Sequence, residues 1–172
     1  MTRFFGRIGA HVAVGLMWLL HWLPLSLLAP LGVGLGKLLW HLAGSRRRIA
    51  MRNLELCFPQ KSLEERTALG KEHFGWLGRS LLERSLLWFA STERLTRLVR
   101  VEGDLHFAER SEAPVMWLLP HFVGLEWVGP GLGLQQSKSA VDVYTPQSNP
   151  VFDHRFLASR QRFGKNAFVK RD

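Results

Sequence analysis

From Ile8 to Gly36 the chain carries no Lys, Arg, Asp or Glu. Fully helical, that run would reach across a bilayer hydrocarbon core of roughly 30 Å. Its strongest core lies between His11 and Leu28, with Trp18 and Trp22 available as interfacial anchors. Pro24 and Pro30 argue against one unbroken helix. The expectation is one span or deep insertion to about Leu28, then a bent apolar piece holding Gly32, Gly34 and Gly36. A cleaved signal peptide fits poorly, because Pro30 follows Ala29 where a cleavage site would sit. A buried helix of a soluble core is the competing reading.

Arg3 and Arg7 precede this segment; Lys37, Arg46, Arg47, Arg48 and Arg52 follow it. The heavier positive flank is C-terminal, which leaves the rest of the chain on the cytoplasmic side. The net charge of +9 over 172 residues favours anionic partners: nucleic acid, an anionic membrane surface or an acidic protein. Arginines beside a membrane segment hold anionic headgroups at about 1 kcal/mol each; the plainer reading is a solvated topogenic flank. Cys57 is the single cysteine, so no internal disulfide or cysteine-based metal site is possible. His11, His21, His41, His73, His106 and His154 show no metal-ligand spacing. No GxGxxG or GxxxxGK pattern is present.

Ser62-Leu63-Glu64-Glu65 reads as a capping box. Leu69, Phe74, Leu77, Leu81 and Leu82 then recur at roughly helical intervals, predicting one amphipathic helix from Leu63 to Phe89. Glu83 falls among apolar residues and is expected exposed or paired elsewhere, since Arg84 beside it does not share its face. Ser91 to Arg94 opens a short second helix. Leu98 to Gly103 alternates like a strand, and residues 104–112 suggest a helix lying on it. Val115 to Leu119 reads as a short buried strand. Ala140 to Tyr144 is another strand, Thr145 to Pro150 a turn-rich loop, Val151 to Phe163 a basic helix ended by Gly164, and Ala167 to Val169 a strand. Alternating helices and strands point to an α/β layer fold behind an N-terminal membrane helix.

One polar pair interrupts the apolar stretch after Val115–Leu119. His121 and Glu126 stand five residues apart, a spacing at which regular helical side chains diverge by about 140°. His121 is therefore expected in the turn after the strand, with Glu126 on the first turn of the following helix. A hydroxyl is a poor nucleophile until its proton is taken, and an imidazole takes it at neutral pH. A carboxylate beside the ring would orient it and stabilise its charge. The plainer reading is a satisfied core histidine and a helix N-terminal acid favoured by the dipole.

Four ordered blocks carry a resemblance. Arg52-Asn53-Leu54-Glu55-Leu56-Cys57-Phe58-Pro59, followed by a capped helix, resembles the N-terminal signature of the bacterial lipid A biosynthesis acyltransferases, the late lauroyl- and myristoyl-type enzymes. Pro120-His121 through Glu126 matches their H-x4-E motif. Tyr144-x-Pro146-x2-Asn149-Pro150, with Arg160-x-Arg162 after it, matches the next block. The apolar N-terminus fits as well. Thr145 stands where the family usually has Arg. Family members are longer, with further strands and an aspartate-containing motif, so the chain resembles a truncated member.

The resemblance implies a membrane-anchoring segment at residues 1–40 and the N-terminal part of an α/β acyltransferase domain at residues 41–172. It implies transfer of a fatty acyl chain from acyl carrier protein to a hydroxyl of a lipid A precursor, in lipopolysaccharide biosynthesis. The site would lie on the cytoplasmic side of the bacterial inner membrane. His121 would be the base, Glu126 its partner, and Arg160 and Arg162 substrate contacts. Arg160 could hold a phosphate of acceptor or donor; a solvated helix face is its alternative. Direct transfer calls for no metal, cofactor or covalent intermediate. Two other classes compete: a non-catalytic membrane-surface protein holding anionic lipid, and a nucleic-acid binder. The second rests on charge alone, without a recognised motif and against an apolar N-terminus. An acyltransferase acting on another glycolipid is a further alternative.

Overall fold

The computed structural model describes residues 2–104, 106–164 and 166–171, with side chains from Gly6 onward. Among these residues the chain is mostly helical, with one two-stranded sheet. It divides into two compact units, Leu23–Glu83 and Met1–Trp22 with Arg84–Asp172.

The first unit holds helix α2 (Leu25–Leu42), α3 (Gly44–Cys57) and most of α4 (Leu63–Phe89). Pro24 caps α2 from an extended conformation, its carbonyl accepting from Leu27 and Leu28. The apolar stretch therefore breaks at Pro24, inside the core expected from His11 to Leu28. The piece expected to bend at Pro30 and the glycines is instead a continuous helix. Pro30 removes one ladder bond without ending it. By length and composition alone, α2 is long and apolar enough to cross a membrane.

The glycines of α2 have a packing reason. A Cβ at Gly32 would overlap the backbone of Arg79, and one at Gly36 the carbonyl of Phe74. A Cβ at Gly78 would overlap the backbones of Gly32 and Gly36, and one at Gly70 the ring of Trp40. Contacts that step up α2 while stepping down α4 define an antiparallel pair in backbone contact, the close approach that small residues permit. Trp40 closes the end of that seam, edge-on to Phe74 with ring centroids 5.2 Å apart. On the opposite side of α2, Leu27, Leu31, Leu38 and Leu42 are exposed.

The arginine-rich flank after the apolar segment is helical. In α3, Arg47 donates to the Trp40 carbonyl at 3.1 Å and stacks on its ring, and Arg52 pairs with Glu55 at 2.6 Å. The capping box forms as expected: the Ser62 amide donates to Glu65 Oε2 at 2.7 Å and the Glu65 amide to Ser62 Oγ at 3.1 Å. α4 spans the predicted range. Glu83 is buried and paired with Arg79 one turn before it.

The second unit holds α1 (Thr2–Leu20), the end of α4, α5 (Thr92–Leu98), α6 (Phe107–Arg110), a 3-10 turn (Leu125–Trp127), α7 (Val128–Gly133), β1 (Val141–Tyr144), α8 (Pro150–Gln161) and β2 (Ala167–Lys170). β1 and β2 pair in parallel, Val141 opposite Ala167 and Tyr144 opposite Lys170, with α8 as the crossover. α5 opens where expected, with Ser91 capping it by accepting from the Arg94 amide at 3.3 Å. Asn149 caps α8, accepting from the Val151 amide at 3.0 Å, and Pro150 takes the first helical position. Gly164 has a φ of 88° just beyond α8. His21 is buried against Trp22 and Phe89 and bonded to the Trp18 carbonyl.

Three expectations are corrected. Leu98 to Gly103 is no strand beyond the end of α5, and the helix expected over 104–112 is reduced to α6, with Leu105 outside the described residues. Val115 to Leu119 is neither a strand nor buried; Met116 is 94% and Leu118 93% exposed. An apolar strand buried on both faces needs cover on both sides and a neighbour for its main-chain groups. The described sheet contains β1 and β2 alone. Among the described residues the α/β character is thus confined to the β1-α8-β2 unit, and the other regular elements are helical.

Candidate active site

His121 occupies a tight turn. The Phe122 amide donates to the Pro120 carbonyl at 2.9 Å, an i to i+2 bond with His121 at the apex. Its φ is not positive, so this is the unstrained inverse γ-turn. A second turn follows, the Leu125 amide donating to Phe122 at 3.1 Å, and the 3-10 turn carrying Glu126 begins there. His121 is exposed at the apex and Glu126 is half-buried behind it. This is the turn-then-helix arrangement expected from the spacing, without the strand in front.

Glu126 is held from α8. Arg160 Nη2 donates to Glu126 Oε1 at 2.6 Å and Arg160 Nε to Oε2 at 3.2 Å. The two-point geometry is the strong form of an arginine–carboxylate contact. Among the described residues Glu126 makes no hydrogen bond to His121.

A third charge joins them from α4. The Arg84 guanidinium stacks over Phe156 at 5.1 Å, and Phe156 and Arg160 share one face of α8. Burial holds the Arg84 guanidinium below its ordinary value, with the Glu126 carboxylate pulling it back up and Arg160 pushing it down. Its Nε is buried without a hydrogen-bond partner. Among the described residues two arginines therefore flank one carboxylate, an excess of one positive charge. Sequence reading missed Arg84; the only signal was a charged residue on the apolar end of α4.

Arg162 is placed differently. It donates from Nη1 to the Leu87 carbonyl at 3.2 Å and from Nη2 to the Ala90 carbonyl, closing the C-terminal end of α4. Burial lowers its pKa, with Arg155 adding to the effect. The structure brings Arg160 to Glu126 and sends Arg162 to main-chain carbonyls. Asn149 also serves the fold, its Nδ2 donating to the Gly6 carbonyl at 3.1 Å.

The glycines after the pair are packed. A Cβ on Gly133 would overlap the carbonyl of Phe163, and one on Gly129 would press on its ring. Phe163 is 2% exposed, so α7 and the second residue beyond α8 are fixed to one another. Among the described residues no group of His, Cys, Asp and Glu could hold a metal ion.

Comparison with known proteins places the chain in a family. The family described as bacterial lipid A biosynthesis acyltransferase matches residues 2–172. The lipid A biosynthesis lauroyltransferase of Escherichia coli K12 is 32% identical over 163 residues, 94% of this chain and 53% of the relative. The palmitoleoyltransferase of the same organism is 36% identical over 154 residues, 88% and 50% of the two chains. Its myristoyltransferase is 30% identical over 166 residues, 95% and 51%. The chain thus spans about half the length of these curated relatives. No solved structure matches. The chain belongs to the bacterial lipid A biosynthesis acyltransferases.

Proposed function

We propose that this chain supplies the acceptor-activating half of an acyltransferase, moving a fatty acyl group from an acyl carrier protein thioester to a hydroxyl of a lipid A precursor. The observation that carries this reading is the exposed His121 at the apex of a turn whose next residues are anchored through Glu126 to Arg160. A base has to reach its substrate while its backbone stays fixed. The imidazole takes the acceptor proton, the oxygen attacks the thioester carbonyl carbon, and an ester bond forms. The carbon–sulfur bond then breaks, and the departing thiolate takes the proton back from the imidazolium.

The arginines suit the substrates' negative charge. Arg160 and Arg84 share one carboxylate, so a phosphate of acceptor or donor arriving there finds an uncompensated cation. A phosphate bonded to Arg160 would displace Glu126 and free that carboxylate to support the charged His121. Arg162, already bonded to two carbonyls, is assigned to holding α4. The bacterial inner membrane is the proposed location, with the catalytic side facing the cytoplasm.

The test uses membranes carrying the protein, supplied with an acyl carrier protein thioester and a lipid A precursor. His121→Ala is expected to abolish transfer while the protein stays in the membrane fraction. Undiminished transfer by that variant would sink the assignment. A glycolipid acceptor without the lipid A phosphates, used equally well, would point to another glycolipid substrate.

A further inference from the structure

Beside the glycine seam of α2 and α4, the unit Leu23–Glu83 opens a groove of about 500 Å³. Val33, Lys37 and His41 form one wall, a single stripe at four-residue spacing along α2, and Glu72, Trp76 and Arg79 form the other along α4. Gly75 leaves the floor open and Trp40 closes one end. The lining is apolar between its rims, and the cations stand on them. Lys37 and Lys71 are exposed and make no ion pair among the described residues. Arg79 is paired with Glu83 and lies over the Trp76 ring at 5.1 Å. The Trp76 indole donates to Glu72 at 3.4 Å, so the ring is held on both sides yet is 49% exposed.

We propose that this groove binds one anionic phospholipid, with its acyl chain along Val33 and Trp76 and its phosphate between Lys37 and Lys71. Three observations select that occupant. An apolar trough with unpaired cations on its rim fits an amphiphile carrying negative charge. A fixed, half-exposed indole is the side chain that settles at the level of lipid headgroups. The leaflet source is adjacent: at 100° per residue, Lys37 and His41 lie on α2 between the buried glycine face and the exposed leucines Leu27, Leu31, Leu38 and Leu42. The one carboxylate in the lining, Glu72, is engaged by the Trp76 indole. The site is independent of the acyl-transfer reading, since none of its residues belongs to the His121 cluster.

The purified protein would be reconstituted into phosphatidylcholine vesicles containing phosphatidylglycerol, with either lipid brominated on its acyl chains. Bromine quenches an indole that it touches. Brominated phosphatidylglycerol is expected to quench more than an equal fraction of brominated phosphatidylcholine, and Trp76→Phe should remove most of that excess. Lys37→Ala with Lys71→Ala should weaken the preference by roughly tenfold or more, from about 1 kcal/mol per cation. Lys37→Arg with Lys71→Arg should keep it. Arg46→Ala with Arg48→Ala removes equal charge from α3 outside the groove and should leave it unchanged. Retention of the excess in the double alanine variant would overturn the proposal. So would equal loss in the Arg46 and Arg48 variant, which would assign the preference to the general surface field.

Discussion

Arg160 holds both carboxylate oxygens of Glu126, and it does so from a helix thirty-odd residues further along the chain. The carboxylate that spacing assigns to His121 is thus engaged by Arg160. The pair fixes the 3-10 turn to α8 and fixes with it the loop that carries His121. It is about one-third exposed on the arginine side and 22% on the glutamate side.

That exposure sets the expected strength. Fully exposed pairs contribute little, and breaking buried ones is costly. A double-mutant cycle of Glu126→Gln and Arg160→Met, read by thermal or denaturant unfolding in detergent, should return a coupling of about 1–2 kcal/mol. In transfer assays Arg160→Met should raise KM for a phosphorylated acceptor more than it lowers kcat. Under the proposed mechanism Glu126→Gln should lower kcat, by removing the charge that would support the imidazolium.

His121 calls for the opposite combination of readouts. It is exposed and serves no described hydrogen bond. His121→Ala should therefore leave the unfolding midpoint within error and lower transfer by about 10²- to 10⁴-fold, the usual contribution of a positioned base. A variant that lost activity together with its folded state would place His121 in the architecture instead.

The sequence was informative where local signals and packing agree. The capping box at Ser62 and Glu65, the range of α4, and the helix expected from Val151 to Phe163, found at Pro150–Gln161 with Gly164 beyond it, each depend on neighbouring residues, and each forms. Val115 to Leu119 had only its apolar composition to recommend it. Composition cannot provide the flanking strand and covering layers that would make the run a buried strand. The site divides in the same way. The turn at His121 and the helical start at Glu126 follow from five residues of spacing with Pro120 and Gly124. The contacts of Glu126 with Arg160, and the approach of Arg84, connect distant elements. No periodicity encodes them. The roles of Arg160 and Arg162 were indistinguishable in the R-x-R pattern. Two positions on a helix end point to different faces, one toward Glu126 and the other toward the end of α4.

Two glycines of α2 should respond in opposite directions. Gly36 lies against the Phe74 carbonyl, a backbone group that cannot move aside, whereas Gly34 has open space around its missing side chain. Gly36→Val should separate α2 from α4 and lower stability by several kcal/mol, as overpacking against main chain does. Gly34→Ala should raise it by about 0.5–1 kcal/mol through helix propensity. Thermal unfolding in detergent, with limited proteolysis between α2 and α4, would read both.

Glu109 provides the pH dependence. The Ser137 amide and hydroxyl donate to Glu109 Oε1 at 2.6 and 2.9 Å, and His106 Nδ1 bonds Oε2 at 2.7 Å. These bonds, the Ser137 amide foremost, bring the carboxyl down from 4.5 to about 2. A depressed folded-state pKa stabilises above the unfolded value, so the contribution is complete above about 4.5 and is lost as pH falls toward about 2. The Ser137 amide resonance should titrate with a midpoint near 2. A midpoint near 4.5 would show that the carboxylate is not gripped in solution. Glu109→Gln should abolish the transition and speed hydrogen exchange at Ser137.

Arg84 separates stability from function most sharply. Its guanidinium is desolvated, its Nε is unsatisfied, and a like charge on Arg160 stands nearby. Each of these costs free energy, offset by stacking on Phe156 and attraction to Glu126. Arg84→Met keeps the apolar stem against the ring and removes the unsatisfied group. Replacing a poorly compensated buried cation in this way is commonly neutral or stabilising. The variant should therefore unfold at or above the parent midpoint. If the uncompensated charge receives a substrate phosphate, the same variant should raise KM for the phosphorylated acceptor about tenfold, one charge-assisted contact being worth about 1.5 kcal/mol. Unchanged KM with raised stability would show that Arg84 takes no part in holding the phosphate. Lowered stability with unchanged KM would show that the contact with Glu126 outweighs the desolvation.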